Sequence, residues 1–199
     1  MHRALLFAVV IAVGMGACTQ STADTPKELA ERHIAYFNDG DLERYLDAYA
    51  PGTVIGEVGT RNDQAVADAV AFEMGLSHGT DGYVAVCESW GTNGAKCDGP
   101  IHDRLFEPAG LPRSLTTVYQ FNDDGEITRH GAQLIHDLDD YLFEREFASW
   151  ITAQHPELAT DLLEYGVLRI PSAPFEQLIP LATAFIEQSP NWPKEPTRG

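Results

Sequence analysis

The stretch from His33 to Glu57, reading H-I-A-Y-F-N-D-G-D-L-E-R-Y-L-D-A-Y-A-P-G-T-V-I-G-E, constrains the fold more than any other part of this chain. It contains two backbone breaks a short distance apart. Gly40 in Asn38-Asp39-Gly40 ends a helix, Asp41 can cap the next, and Pro51-Gly52 stops that one. Before the first break, Leu29, Ala30, His33, Ile34 and Phe37 recur at helical spacing; between the breaks, Leu42, Tyr45, Leu46 and Tyr49 do the same. The order is therefore helix, helix, strand. It leaves a histidine and a glutamate at the two ends, where a folded cone could bring them together.

The flanking sequence extends this pattern into an α+β plan. Thr25-Pro26-Lys27-Glu28 has the form of a capping box with proline at the first helical position, so a helix is expected from Pro26 to about Asn38. Thr53 to Val58 reads as a strand, and Asp63 to Gly75 as a third amphipathic helix through Val66, Val70 and Met74. Four strands in series are then expected: Tyr83 to Trp90, Ala95 to Phe106, Ser114 to Phe121 and Glu126 to His136. Asn122-Asp123-Asp124-Gly125 supplies the last turn and the Pro108 to Pro112 segment the break before it. No regular alternation of strand and helix appears, so three helices followed by an antiparallel meander are expected. From Leu138 the pattern returns to helix. Phe143, Phe147, Trp150 and Ile151 form one stripe, Leu158, Leu162 and Tyr165 a second, and Phe175, Leu178, Ile179, Ala182, Phe185 and Ile186 a third. Pro180 should kink or divide the last helix. Stripes this apolar imply a C-terminal extension, residues 138–199, packed on the cone of residues 26–137.

Residues 1–17 have the layout of an export signal. His2 and Arg3 begin it, Ala4 to Val13 form an apolar run too short to span a bilayer, and small residues precede Cys18. Met15-Gly16-Ala17-Cys18 resembles a bacterial lipobox, with methionine where leucine is usual, which implies a lipidated Cys18, a short tether over residues 18–25 and a lipid-anchored protein of the cell envelope. An ordinary cleaved signal and an uncleaved anchor are the alternatives, and all three place the domain outside the cytoplasm. If Cys18 carries lipid, Cys87 and Cys97 remain as an even pair in an oxidising compartment, and a disulfide between them is expected. A tight turn centred on Asn93-Gly94 would set Cys97 opposite Trp90 and Cys87 opposite Pro100, too far apart to bond. Either the turn is wider than that dipeptide suggests or both thiols are free.

Charge removes one class of partner. With 30 acidic against 13 basic residues the formal net charge is −17, and such a surface repels nucleic-acid phosphates and anionic headgroups. Association with a membrane would therefore come through the lipid alone.

Asn38-Asp39-Gly40-Asp41-Leu42, Tyr49-Ala50-Pro51-Gly52 and the late pair around Phe121 to Ile127 together resemble the nuclear transport factor 2-like superfamily, which includes SnoaL-like cyclases, scytalone dehydratase and ketosteroid isomerase. The resemblance covers about Pro26 to Asp137 and implies a curved antiparallel sheet with the N-terminal helices forming a cone with a pocket, and dimerisation through the outer sheet face. Laid against ketosteroid isomerase, the oxyanion-donating tyrosine falls on His33, the general-base aspartate on Glu57 and the protonated aspartate on Thr117. Glu57 could act as base in a partly desolvated site, and His33 as donor or acid. On the last strand Thr128, His130, Ala132, Leu134 and His136 share a face by alternation, and the resemblance places that face in the cone. Candidate catalytic residues are thus His33, Glu57 and His130; candidate pocket residues are Phe37, Tyr49, Thr117, Tyr119, Leu134 and His136. Each of the three has a structural alternative: His33 as a satisfied core residue, Glu57 at a sheet edge facing water, His130 on a solvent-facing strand.

No spacing supplies two metal ligands from one element, and the acidic cluster Asp137, Asp139 and Asp140 lacks a calcium-loop pattern, so neither metal nor cofactor is expected and the cluster reads as a solvated junction. Because the isomerase donors are replaced, the leading expectation is a module that binds a small hydrophobic molecule or a protein partner. The alternative is a cofactor-free isomerase or dehydratase using Glu57 and His33. A third outcome is a structural protein whose tail helices plug the cone.

Overall fold

The capping box at Thr25 starts the first helix, α1 (Pro26–Asn38): Thr25 N–H donates to Glu28 Oε2 at 2.7 Å, and Glu28 N–H returns to Thr25 Oγ1 at 3.3 Å. The computed structural model describes residues 24–56, 58–111, 113–135, 138–168, 174–189 and 192. Cys18 and the expected export signal lie outside the described residues. α1 buries Ala30, His33 and Ile34, and its end is fixed by a reciprocal amide pair. Asn38 Nδ2 donates to the Tyr83 carbonyl at 3.1 Å, and Tyr83 N–H donates to Asn38 Oδ1 at 2.9 Å. Gly82, with φ +63° and no side chain, lets the chain pass close enough for that pair.

Asp41 caps α2 (Leu42–Asp47) by accepting from Arg44 N–H at 3.1 Å. The chain then runs beside the last strand of the main sheet, with Ala50 N–H on the Ile127 carbonyl at 2.9 Å and Ile127 N–H on the Ala48 carbonyl at 2.8 Å. In place of the expected strand from Thr53 to Val58 stand two short strands, β1 (Val54–Ile55) and β2 (Gly59–Thr60), paired antiparallel. α3 (Gln64–Ser77) follows.

The main sheet is an antiparallel meander of β3 (Val86–Trp90), β4 (Gly94–Ile101), β5 (Arg113–Phe121) and β6 (Ile127–Ile135) in chain order. The register decides one choice that the sequence left open, and two departures from the sequence reading have local causes. The β3–β4 loop is wider than an Asn-Gly turn: Trp90 pairs with Gly94, leaving Gly91, Thr92 and Asn93 as the loop. Cys87 therefore sits directly opposite Cys97 with Cα atoms 4.0 Å apart, and the two are joined by a disulfide. β4 stops at Ile101 rather than Phe106, because Asp103 Oδ1 accepts from Leu105 N–H at 3.0 Å and Phe106 N–H at 2.8 Å and turns the chain into the 3₁₀ turn Glu107–Ala109. In β6 a bulge breaks the alternation: Gln120 pairs with Arg129 but Phe121 with Ile127, so Thr128 is the extra residue and is exposed. Thr128 is thus not on the pocket face, whereas buried Ile127 precedes the bulge and His130 follows it.

Beyond the sheet, α4 (Leu138–Gln154), α5 (Pro156–Leu162), a hairpin of β7 (Leu163–Glu164) and β8 (Val167–Leu168), and α6 (Phe175–Gln188) complete an α+β fold with a helical extension. α6 runs through Pro180 as one helix. The lost N–H would have bonded to the carbonyl of Glu176 near the helix start, and the packing of Leu178, Ala182 and Phe185 into the core holds both sides of the proline. Asp140 is 1% exposed, so that part of the acidic cluster is not solvated as expected. Asp137 lies outside the described residues.

Two apolar cores result. One joins α1 and α2 to the inner face of the sheet through Ala30, Tyr45, Tyr49, Tyr119, Phe121 and Ile127. The other packs Phe72 and Leu76 of α3, with Leu105, Phe106 and Leu111, against Phe143, Phe147, Ile151, Leu178 and Phe185 of the extension. α3 is the wall between them. Among the described residues no helix is long and apolar enough to cross a membrane, and the disulfide fits an oxidising compartment.

Candidate functional site

A cavity of about 340 Å³ opens from the surface into the space between α1, α3 and the inner face of β5 and β6. Apolar side chains dominate its wall, among them Ile34, Phe37, Ile55, Val66, Val70 and Leu115. Two polar groups interrupt this surface.

The first is a ring cluster built by register. Ala95, Tyr119 and His130 are cross-strand neighbours on the inner face, as are Cys97, Thr117 and Ala132 on the adjacent row. His130 stacks on Tyr119 with ring centroids 4.6 Å apart, and α1 lowers His33 onto the same group. His33 stacks on Tyr45 at 4.0 Å and meets Tyr49, Tyr119 and His130 edge-on at 5.2, 5.5 and 5.5 Å. His33 Nδ1 is 3.4 Å from the Tyr119 hydroxyl, His130 Nδ1 is 2.6 Å from the Tyr49 hydroxyl, and Tyr49 in turn reaches the Tyr45 hydroxyl at 3.5 Å. The Nε2 of both histidines is buried without a protein partner among the described residues.

Burial decides the charge of this cluster. It holds His33 well below the ordinary histidine range, with repulsion from His130 adding to the effect and the Tyr45 carbonyl opposing it. His130 is pushed down to about 4 by burial. Burial also raises the tyrosines, Tyr45 to about 12, so none is ionised near neutrality. The site presents two neutral imidazoles. Each can offer Nε2 as donor or acceptor, depending on which way the bond at its Nδ1 runs.

The second polar group centres on α3. Val66, Ala69, Val70, Glu73 and Ser77 recur at helical spacing on the cavity side, so Glu73 occupies a position in an otherwise apolar stripe. Glu73 has no hydrogen bond or ion pair among the described residues; it lines the cavity and is exposed to solvent. Beside it, Arg113 Nη1 lies 2.8 Å from Asp103 Oδ2, in a pair whose residues are 9% and 3% exposed, while Arg113 Nε has no partner. Burial raises the Glu73 carboxyl above its ordinary value; Arg113 pulls it down and Asp103 pushes it further up. Its charge is also felt at Tyr45.

The structure brings most of the sequence candidates together. His33, His130, Phe37, Thr117, Tyr119 and Leu134 line the cavity. Tyr49 stands behind the wall, on the far side of its hydrogen bond to His130. Glu57 and His136 lie outside the described residues. The sequence reading missed Glu73 and the Asp103–Arg113 pair. Glu73 was detectable, because it falls three residues after Val70 and seven after Val66 on the stripe already recognised. The pair was not, since Asp103 and Arg113 meet only through the 3₁₀ turn between them. No described residue of the C-terminal extension lines the cavity. Among the described residues no group of three or more His, Cys, Asp or Glu is placed to hold a metal ion.

No family model matches the chain, and no curated protein matches it. Solved structures to which it is similar include a candidate isomerase from Bacillus subtilis, with TM-score 0.43 and 14% identity over 55% of this chain and 86% of that one. An uncharacterised cystatin-fold protein from Novosphingobium aromaticivorans gives TM-score 0.40 and 14% identity over 57% and 99% of the two chains. A candidate polyketide cyclase from Pseudomonas putida gives 0.40 and 18% over 59% and 96%.

Proposed function

We propose that this chain is an extracytoplasmic member of the nuclear transport factor 2-like type that holds a small, mostly apolar molecule in its cavity, anchored to the envelope by lipid on Cys18. The observation that carries the reading is the open apolar cavity of about 340 Å³, in the size range of small-molecule sites, with two neutral histidines in its wall whose Nε2 atoms lack protein partners. Buried polar atoms left unpaired are costly, and a ligand that supplies their bonds removes the cost. Nile red tests binding directly. It should bind the wild-type chain with enhanced emission, and Ala132→Trp, which fills the cavity from β6, should abolish the signal while circular dichroism stays unchanged. Equal Nile red signals from the two proteins would refute the assignment. Native mass spectrometry of protein taken from its own host would identify the resident molecule, and the mass of that protein would also report lipid on Cys18.

One observation favours a second reading, a cofactor-free isomerase or dehydratase: a carboxyl with a raised pKa, Glu73, shares the cavity with His33 and His130. These are proton-transfer groups in a partly desolvated place. Glu57 was the base expected from the resemblance, and Glu73 is a second carboxyl available for that role. Protein-dependent deuterium exchange into the identified ligand, lost in His33→Ala, would support catalysis; no exchange would leave a binding module.

A further inference from the structure

The polar groups of the cavity wall carry unequal charge. Among its described residues the ionisable side chains are His33, His130, Tyr45, Tyr83, Tyr119, Glu73, Asp103 and Arg113. The histidines and tyrosines are neutral, which leaves two carboxylates and one guanidinium. That guanidinium is committed: Arg113 Nη1 bonds Asp103 Oδ2 at 2.8 Å, and the other Asp103 oxygen takes the Leu105 and Phe106 N–H groups. Asp103 is thus compensated by its own neighbours. Glu73 has no hydrogen bond or ion pair of its own among the described residues; it stands exposed at the cavity wall, in an otherwise apolar helix stripe, with Arg113 acting on it only at a distance.

Solvent reaches this carboxylate and can hold it ionised, and a cation that carries an apolar body into the cavity would give it an ion pair beside the apolar wall. In the empty cavity the carboxylate takes a proton more readily than usual, as its raised pKa reflects. A ligand bearing one positive charge on an apolar body would satisfy both the wall and the carboxylate. Neutral His33 and His130 would not repel it, and a chain of formal charge −17 draws cations toward it. An anionic ligand would meet an uncompensated Glu73, with no free cation among the described wall residues to receive it.

Resting on the reading that the cavity holds a small apolar molecule, we propose that the cavity selects lipophilic monocations, such as hydrophobic amines, with Glu73 as the counter-ion. The class follows from one excess carboxylate in an otherwise apolar pocket and requires no contribution from the extension. Glu73 is then the specificity residue of the site.

Three probes with one carbon skeleton test this: adamantylmethylamine, adamantylmethanol and adamantane carboxylate, each competed against Nile red at neutral pH on the full chain. A charge-assisted hydrogen bond predicts that the amine displaces the dye at about tenfold to a hundredfold lower concentration than the alcohol, with the carboxylate weakest. Glu73→Gln should bring amine and alcohol to the same value while still binding Nile red. Glu73→Leu, which continues the apolar stripe, should retain or tighten the alcohol and lose the amine preference. Wild-type protein that takes the alcohol as well as the amine, or a Gln variant that keeps the preference, would overturn the inference and leave the binding reading intact. Failure of Nile red and all three probes to bind wild-type protein would overturn both.

Discussion

Acidification should destabilise this protein through its buried histidines, and His130→Phe should remove a measurable part of that sensitivity. In the unfolded chain His130 has a pKa near 6.5, whereas in the fold burial lowers it to about 4. Between these values the unfolded state binds a proton that the folded state does not. Stability from this group is therefore fully present above about pH 6.5 and is lost as pH falls toward 4. Taking pH 7 to pH 5 as the experimental step, linkage gives a loss of about 2 kcal/mol from His130 alone. Phenylalanine keeps the stack on Tyr119 and cannot titrate. It removes the shorter of the Tyr49 hydroxyl's two hydrogen bonds and leaves the one to Tyr45, but that cost is the same at both pH values and cancels in the comparison. Removing His130 also relieves the repulsion that helps depress His33, which changes the difference in the same direction. Glu73 works oppositely: its raised pKa favours the fold as pH falls, in wild type and variant alike. The assay is urea unfolding of both proteins at the two pH values. With m-values of about 1–3 kcal/mol/M, the wild-type midpoint should fall by roughly 1 M more than that of the variant. Equal losses in the two proteins would show that His130 is not held neutral by the fold, and the electrostatic account of the site would fail with it.

Three further outcomes follow from the packing. Replacing both Cys87 and Cys97 by alanine should cost about 2–4 kcal/mol in urea unfolding, because the bridge restrains the unfolded chain and its half-cystines are buried; reductant should reproduce the effect in wild type and have none in the variant. Phe147→Ala, in the core shared by α4 and α6, should cost about 3–5 kcal/mol yet leave Nile red affinity unchanged, since that core does not line the cavity. Asp103→Ala should cost about 3–5 kcal/mol by leaving Arg113 buried and unpaired, and adding Arg113→Met should recover part of the loss; a double variant as unstable as the single one would refute this.

What the sequence disclosed and what it hid divide along physical lines. Elements set by local signals were legible: the capping box at Thr25, the breaks at Gly40 and Pro51-Gly52, and the apolar periodicity of α1 and α3. His33 could be placed on the buried face of α1, Tyr119 proposed as pocket-lining and His130 as a candidate catalytic residue, from periodicity and family likeness before any contact was known. What the sequence left open or misplaced turned on a one-residue change in the count. The expected Cys87–Cys97 bridge forms because the loop has three residues, the wider of the two turns left open, whereas one bulge at Thr128 shifted the face of everything before it. Neither change has a strong local signature, because loop width and bulge position are settled by pairing across the sheet. The Asp103–Arg113 pair was hidden for a related reason: it depends on the chain leaving β4 early, and Asp103 itself causes that exit.

The placement of Glu73 connects the two halves of the structure. α3 has apolar residues on two sides, Val66 and Val70 toward the cavity and Phe72 and Leu76 toward the extension. A helix packed on one side only could rotate or shift and carry Glu73 away from the cavity. The extension covers the second side with Phe143, Phe147 and Phe185, and so fixes the rotation of α3 that sets Glu73, though exposed, at the cavity wall. Burial on that side is then the source of free energy that holds a carboxylate at the edge of an apolar cavity. On this argument the extension acts on the site without touching it, by holding the helix that carries its only uncompensated charge among the described residues.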